Sequence, residues 1–405
     1  MRKILLTILL MLFLISCDST EPGKETLSLS FEDASCTEVW LKLNGMANGE
    51  YILQRDNKEV DRITLSGTDN IIYNDSLQPS TTYTYQISSI QQQVSSNQLT
   101  AVTMDTTSHD FTWQTFTFGG QGGSSALYDV AIIDKNNIWA VGEIYTADDK
   151  YNAVHWDGSE WELLTINYGG HFWSIKNVFV FNKYEIWFSA FVKFDGVGFT
   201  QLPISEELTG WGIIKTWGLS SSDFYVVGNN GNIAHYNGNS WERIISGTST
   251  HINDAFGIVN NQSQSVLYCP VSSFFVPGEK KVLKIVDKVV ETVPWNENAR
   301  LYSAWAKSEN ILYVCGEGVF ENKFGQWNEI NLQPVGTNSI RGNDVNDIFV
   351  VGDYGSIFHF NGSSWKPLNS FNSSKGYSKV SVLNNLVIIC GNQYGQGLIE
   401  LGRRN

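Results

Sequence analysis

The sequence predicts an all-β chain: a small β-sandwich followed by a seven-bladed β-propeller with N-terminal strand closure. Three observations carry that prediction. First, a phrase recurs through the C-terminal three quarters of the 405 residues, an aromatic shortly before Gly, then His, a second aromatic, Asx-Gly and Trp. It reads IWAVGE and then AVHWDGSEW at 138–161, FYVVGNNGNIAHYNGNSW at 224–241, and IFVVGDYGSIFHFNGSSW at 348–365. Second, aligning on the residue that ends each second strand gives Gly142, Ala190, Gly228, Pro270, Gly316, Gly352 and Gly391, at successive intervals of 48, 38, 42, 46, 36 and 39. That is the period of a four-stranded blade with variable loops, repeated seven times. Third, the stretch before the repeats alternates apolar and polar residues with period two, as at Val39, Leu41, Leu43, then Tyr51, Leu53, then Tyr83, Tyr85, Ile87, with Asn44-Gly45 and Asn48-Gly49 between runs. Such alternation marks half-buried antiparallel strands.

Within each repeat the strands follow in order. In the first, an inner strand over 127–133 leads through a turn at 134–137 into a second strand over 138–142, and a third strand carries Val154-His155-Trp156. Asp157-Gly158 then turns into an outer strand opening at Trp161, because Asx-Gly supplies the positive φ that a tight hairpin needs. Asp195-Gly196, Asn237-Gly238 and Asn361-Gly362 repeat the device. The last repeat lacks an outer strand, whereas 112–116 (TWQTF) precedes the first inner strand and matches 161–164 (WELL) in kind. The N-terminal piece is therefore expected to complete the seventh blade and remove a free sheet edge.

The N-terminus reads as a leader. Arg2 and Lys3 precede an apolar run over 4–15, too short to span a bilayer, and Leu14-Ile15-Ser16-Cys17 resembles a bacterial lipobox. That resemblance implies residues 1–17 as signal peptide, acylation (palmitate among the chains) at Cys17, and a tether over 18–26. It also implies residence in a bacterial cell envelope, on the outer membrane or the cell surface. Loss of Arg2 and Lys3 would take the net charge from −14 to −16, which disfavours nucleic acid as a partner.

Over 27–106 the segment Leu77-Gln78-Pro79-Ser80-Thr81-Thr82-Tyr83 resembles the L-x-P-x-T-x-Y pattern of fibronectin type III domains, with Tyr83 as the corner tyrosine. The usual second-strand Trp is replaced by Leu43, and Trp40 falls on the opposite face. A spacer role follows. Over 107–405 the repeat resembles that of bacterial lipoprotein propellers and, more distantly, photosystem II assembly factor and BNR-type propellers, in which binding and assembly roles prevail.

Chemistry is sparse. His155, His235 and His359 share one repeat position and read as scaffold, and Cys269, Cys315 and Cys390 stand where other repeats carry Val. No disulfide is expected, with Cys36 unpaired. Neither a zinc spacing nor a regular calcium loop is present, so no metal or cofactor is expected. The arginines are too few and misplaced for a sialidase triad, and no motif selects a carboxylate pair. Candidate binding residues lie in the loops leading into the innermost strands: Tyr128, His171, Phe172, Trp173, Trp211, His251, Arg300, Tyr302 and Tyr377. Arg341 joins them, since its counterparts in the other repeats align as Ala131, Phe179, Trp217, Val259, Trp305 and Val380, and an Arg in an apolar register needs a partner or a ligand. The expected function is a monomeric, membrane-tethered, non-catalytic scaffold that recognises protein or glycan. A carbohydrate-active propeller enzyme and an envelope assembly or secretion accessory factor stand as alternatives.

Overall fold

The computed structural model describes residues 27–45, 48–66, 70–273, 278–295, 297–333, 335–369 and 374–405. The leader, Cys17 and the tether lie outside them. The chain divides into two compact units, Met1–Thr103 and Met104–Asn405.

The first unit holds two antiparallel sheets. One orders Ser28–Ala34, Val39–Asn44 and Ile71–Asn74; the other orders Lys58–Leu65, Gly49–Arg55, Thr82–Ser89 and Leu99–Val102. Period-two alternation puts Leu41 and Leu43 from one sheet and Tyr51, Leu53, Tyr85 and Ile87 from the other into a single buried cluster. Trp40, on the other face of its strand, is buried against Tyr73 with ring centroids 5.9 Å apart. The Tyr83 hydroxyl accepts the Gln78 N–H at 2.9 Å, pinning the turn to the strand that follows.

Among the described residues the second unit is built of seven four-stranded antiparallel sheets. In the first, Ala126–Asp134, Asn137–Tyr145, Lys150–Trp156 and Trp161–Leu164 run in sequence order from innermost to outermost. The innermost strands of the next six are Val178–Asn182, Ile213–Ser220, Phe256–Val259, Leu301–Ser308, Thr337–Asp344 and Lys375–Leu383. Both faces of a sheet are covered by neighbours, so the second strands read as continuous apolar runs, as in Asp347–Gly352, buried throughout. The apolar clusters lie between successive sheets, and one joins Leu127, Val130 and Ile138 of the first to Ile388, Cys390 and Ile399 of the seventh.

The anchor glycines follow from close backbone approach. A Cβ at Gly142, Gly228, Gly316, Gly352 or Gly391 would lie 1.9–2.3 Å from a carbonyl oxygen at the start of the innermost strand. Each Asx-Gly turn has one geometry: the Asx side-chain oxygen accepts two backbone N–H groups, from Ser159 and Glu160 for Asp157 and from Ser363 and Ser364 for Asn361.

The seventh sheet takes its fourth strand from the beginning of the unit. Phe111–Phe118 pairs antiparallel with Gln396–Arg404, in register from Gly397 with Phe118 to Arg404 with Phe111. Buried Glu400 ties the junction, accepting from Thr115 Oγ1 at 2.7 Å and from Tyr377 Oη at 3.3 Å and pairing with Lys375 Nζ at 2.6 Å.

Candidate functional site

The repeated histidines are structural. In three sheets the imidazole lies on the second-strand aromatic opposite it, His155 on Trp139, His235 on Tyr225 and His359 on Phe349, with centroids 4.3, 4.5 and 4.4 Å apart. Nε2 meets the Asx that opens that second strand: Asn137 at 2.9 Å, Asp223 at 2.7 Å and Asp347 at 2.9 Å. Cys36, Cys269, Cys315 and Cys390 are buried and form no disulfide among the described residues, and burial pushes the Cys315 thiol up to about 12, far from the reactive range.

The polar chemistry of the unit gathers where the innermost strands converge. Each sheet contributes one residue, from its innermost strand or just before it: Asp129, Asn177, Lys215, Asp254, Ser303, Ser339 and Lys379. Four of these side chains receive the same bond from the following innermost strand. Val178 N–H donates to Asp129 at 3.1 Å, Ala304 N–H to Asp254 at 3.3 Å, Ile340 N–H to Ser303 at 3.2 Å, and Val380 N–H to Ser339 at 3.2 Å. The level is thus a belt of side chain to backbone bonds linking sheet to sheet, in positions where an apolar residue would leave those donors unmatched.

Among the described residues two hydrogen-bonded ion pairs cross the belt. Lys215 Nζ reaches both Asp129 oxygens at 2.7 and 3.0 Å. Arg341 grips Asp254 in a two-pronged pair, Nη1 to Oδ2 at 2.8 Å and Nη2 to Oδ1 at 2.9 Å, and also donates to Ser303 Oγ and to the Ala304 and Ile340 carbonyls. Asp254 is fully buried. Burial alone would raise its pKa, but the charges of Arg341 and Lys379 and the Arg341 hydrogen bonds hold it well below the ordinary carboxylate range. Arg341, the residue singled out for breaking the repeat, thus finds its partner inside the protein.

Register corrects two of its assigned counterparts. Arg341 pairs with Phe349, and the positions facing the equivalent second-strand residues are Gly257, opposite Leu267, and Ser381, opposite Ile388, in place of Val259 and Val380. The fourth sheet's hairpin is longer and the seventh's shorter than the others, which displaces a count taken from the anchors.

The remaining candidates are distributed around the side on which the innermost strands begin. His171 and His251 are exposed, and Phe172, Trp173, Trp211, Arg300, Tyr302 and Tyr128 are half-buried. Tyr128 donates to Glu143 beneath Lys176, whose Nζ lies 3.3 Å from the ring centroid. Arg243 covers Trp211 at 5.1 Å. Arg300 pairs with Glu317 at 3.1 Å and bonds Tyr302. Tyr377 is only 1% exposed and belongs to the core, because its hydroxyl is taken by Glu400 and its ring packs among Val351, Val380 and Ile389. It cannot serve as part of a binding face.

Two exposed tyrosines were not anticipated. Tyr354 and Tyr394 stand in the turns between second and third strands of the sixth and seventh sheets, on that same side, 64% and 81% exposed. Their φ angles of 55° and 51° are left-handed, a conformation that Gly or Asn adopts more readily, and Asn230 holds it in the third sheet at φ 55°.

A second charged chain sits beside the closing strand. Arg404 pairs with Asp347, Asp347 with His359 Nε2, and His359 Nδ1 with His109 Nδ1 at 2.8 Å. Burial, helped by His359, Lys366 and Arg404, pulls His109 down to about 4 from 6.5, and burial also lowers His359. An unfolded chain takes up protons from pH 6.5 downward that the folded one refuses until near pH 4. Stability is therefore fully present above pH 6.5 and lost as pH falls between these values. The thermal midpoint is expected to drop over that window, and His109→Gln to flatten the drop; an unchanged slope in the variant would contradict the assignment.

No protein-family model matches the chain, and no curated protein does. Solved structures do match. YCF48 bound to D1 peptide aligns at TM-score 0.54 and 14% identity over 72% of this chain and 95% of that one. YCF48 from Cyanidioschyzon merolae aligns at 0.51 and 14% over 72% and 98%, and the WD40 propeller domain of Doa1 at 0.53 and 13% over 72% and 97%. At such identities the likeness shows the fold: the second unit is a β-propeller.

Proposed function

We propose that this chain is a lipid-anchored, non-catalytic recognition protein of a bacterial envelope. In this reading Cys17 carries the acyl chains, a fibronectin type III spacer spans 27–106, and a seven-bladed propeller over 107–405 docks a protein partner on the side where its innermost strands begin. The observation that carries the docking reading is the pair Tyr354 and Tyr394. Both are exposed aromatic side chains held in left-handed turns of neighbouring sheets. Tyrosine brings a large contact area at low entropic cost and is enriched at interfaces. Support comes from the matching propeller solved with a bound peptide. The non-catalytic reading draws on the axis, where Asp129 and Asp254 are each committed to a cation.

Affinity capture from the native envelope with residues 18–405 tests the docking. The expected result is one defined protein retained, lost with Tyr354→Ala/Tyr394→Ala at an unchanged thermal midpoint, and kept with Val197→Ala in an Asx-Gly turn on the other side. Retention indifferent to both tyrosines, or glycoside turnover by the purified protein, would overturn it. Cys17→Ser is expected to move the protein from the membrane to the soluble fraction.

A further inference from the structure

The belt lines a half-open cavity of about 230 Å3 reached by residues of six of the seven sheets. Its charges do not balance: Lys215, Arg341 and Lys379 face it with only Asp129 and Asp254 to offset them, an excess of one positive charge among the described residues. The excess resides on Lys379. Lys215 has Asp129 at 2.7 Å and Arg341 has Asp254 at 2.8 Å, whereas Lys379 Nζ makes no hydrogen bond among the described residues and meets Asp254 Oδ1 only at 3.9 Å. Its side chain is 14% exposed. A largely desolvated ammonium without a hydrogen-bond acceptor is costly, and burial lowers its pKa despite the neighbouring carboxylate. The wall around it is mixed. Phe179, Trp217, Phe256 and Val180 supply apolar surface, and Ser381 and Thr216 supply hydroxyls.

We infer that the axial cavity binds a small monocarboxylate with an apolar body, its carboxylate on Lys379 Nζ and its hydrocarbon against Trp217 and Phe179. One negative charge neutralises the excess, and the wall favours an organic anion over a fully hydrated inorganic one. The site stands whether or not a protein docks at Tyr354 and Tyr394.

Calorimetric titration of the full chain with benzoate, benzamide and chloride tests it. Benzoate is expected to bind saturably at one site, with benzamide and chloride weaker by roughly tenfold or more, the scale of one charge-assisted hydrogen bond. Lys379→Met is expected to abolish benzoate binding while keeping or raising the thermal midpoint. Ser381→Leu, which keeps all charges and fills the cavity, is expected to weaken benzoate by a similar factor. Equal binding of benzoate and benzamide, equal competition by chloride, undiminished binding by either folded variant, or no saturable benzoate binding would each overturn the assignment.

Discussion

Asp254→Ala is expected to destabilise the second unit by about 3–5 kcal/mol, the usual result of removing one member of a buried pair. The carboxylate is fully buried and serves the two Arg341 nitrogens, Ser303 Oγ and the Ala304 N–H, while Lys379 lies 3.9 Å away. Alanine would leave two cations facing each other in a low-dielectric site, and at roughly 2–4 °C per kcal/mol the thermal midpoint should fall by about ten degrees. Asp254→Leu/Arg341→Leu should recover part of the loss, since it removes the Arg341 charge that Asp254→Ala leaves unpaired, while Lys379 still loses its neighbouring carboxylate. The pH dependence has a definite sign. The folded pKa is depressed, so the contribution is present above the unfolded carboxylate value of about 3.9 and disappears as pH falls below it. A change under about 1 kcal/mol in Asp254→Ala, measured by urea denaturation, would show that the pair holds little of the structure together.

Deleting the closing strand should have a larger effect. Without 111–118 the edge Gln396–Arg404 loses its eight-residue partner and exposes unpaired backbone groups to other chains. Apolar contacts disappear on both flanks: Phe116 and Phe118 pack on Trp161 of the first sheet, and Phe111 on Phe349 and His359 of the sixth. Because the strand joins the two ends of the unit, the loss should exceed a typical net stability of about 5–15 kcal/mol. The expected result is aggregation or rapid proteolysis, relieved by adding a peptide of residues 107–120. A deleted chain with the midpoint of the intact one would contradict the closure.

The architecture was legible because its causes are local and repeated. Anchor glycines answer a backbone clash that recurs in five sheets, Asx-Gly turns recur with one bonding pattern, and each repeat histidine lies on an aromatic of its own sheet. The closing strand could be foreseen from a missing outer strand at one end and an orphan Trp-containing strand at the other. The axial belt was harder to see. Its members Asp129, Asn177, Lys215, Ser303 and Ser339 each stand thirteen residues before an anchor, a signal present in the sequence. The key acceptor Asp254 stands sixteen before Pro270, because the hairpin around Asn260 and Gln264 is two residues longer than in most sheets and Asp254 lies one residue further from the paired Gly257 than its counterparts do. Arg341 therefore looked solitary when its partner was 87 residues upstream. Tyr377 illustrates the opposite failure: an aromatic in a lead-in segment reads the same whether it faces solvent or Glu400. Tyr354 repeats the position of Asn230, and Gly231, Gly355 and Gly395 follow the three turn residues, but exposure at a turn is decided by backbone conformation and not by the repeat.

Site-specific photocrosslinking in living cells tests the docking claim most directly. With the crosslinker at position 394 or 354, one protein adduct of constant mass is predicted; with it at 197, 93% exposed in an Asx-Gly turn on the other side, none. Adducts at 197 but not at 394 or 354 would contradict the account.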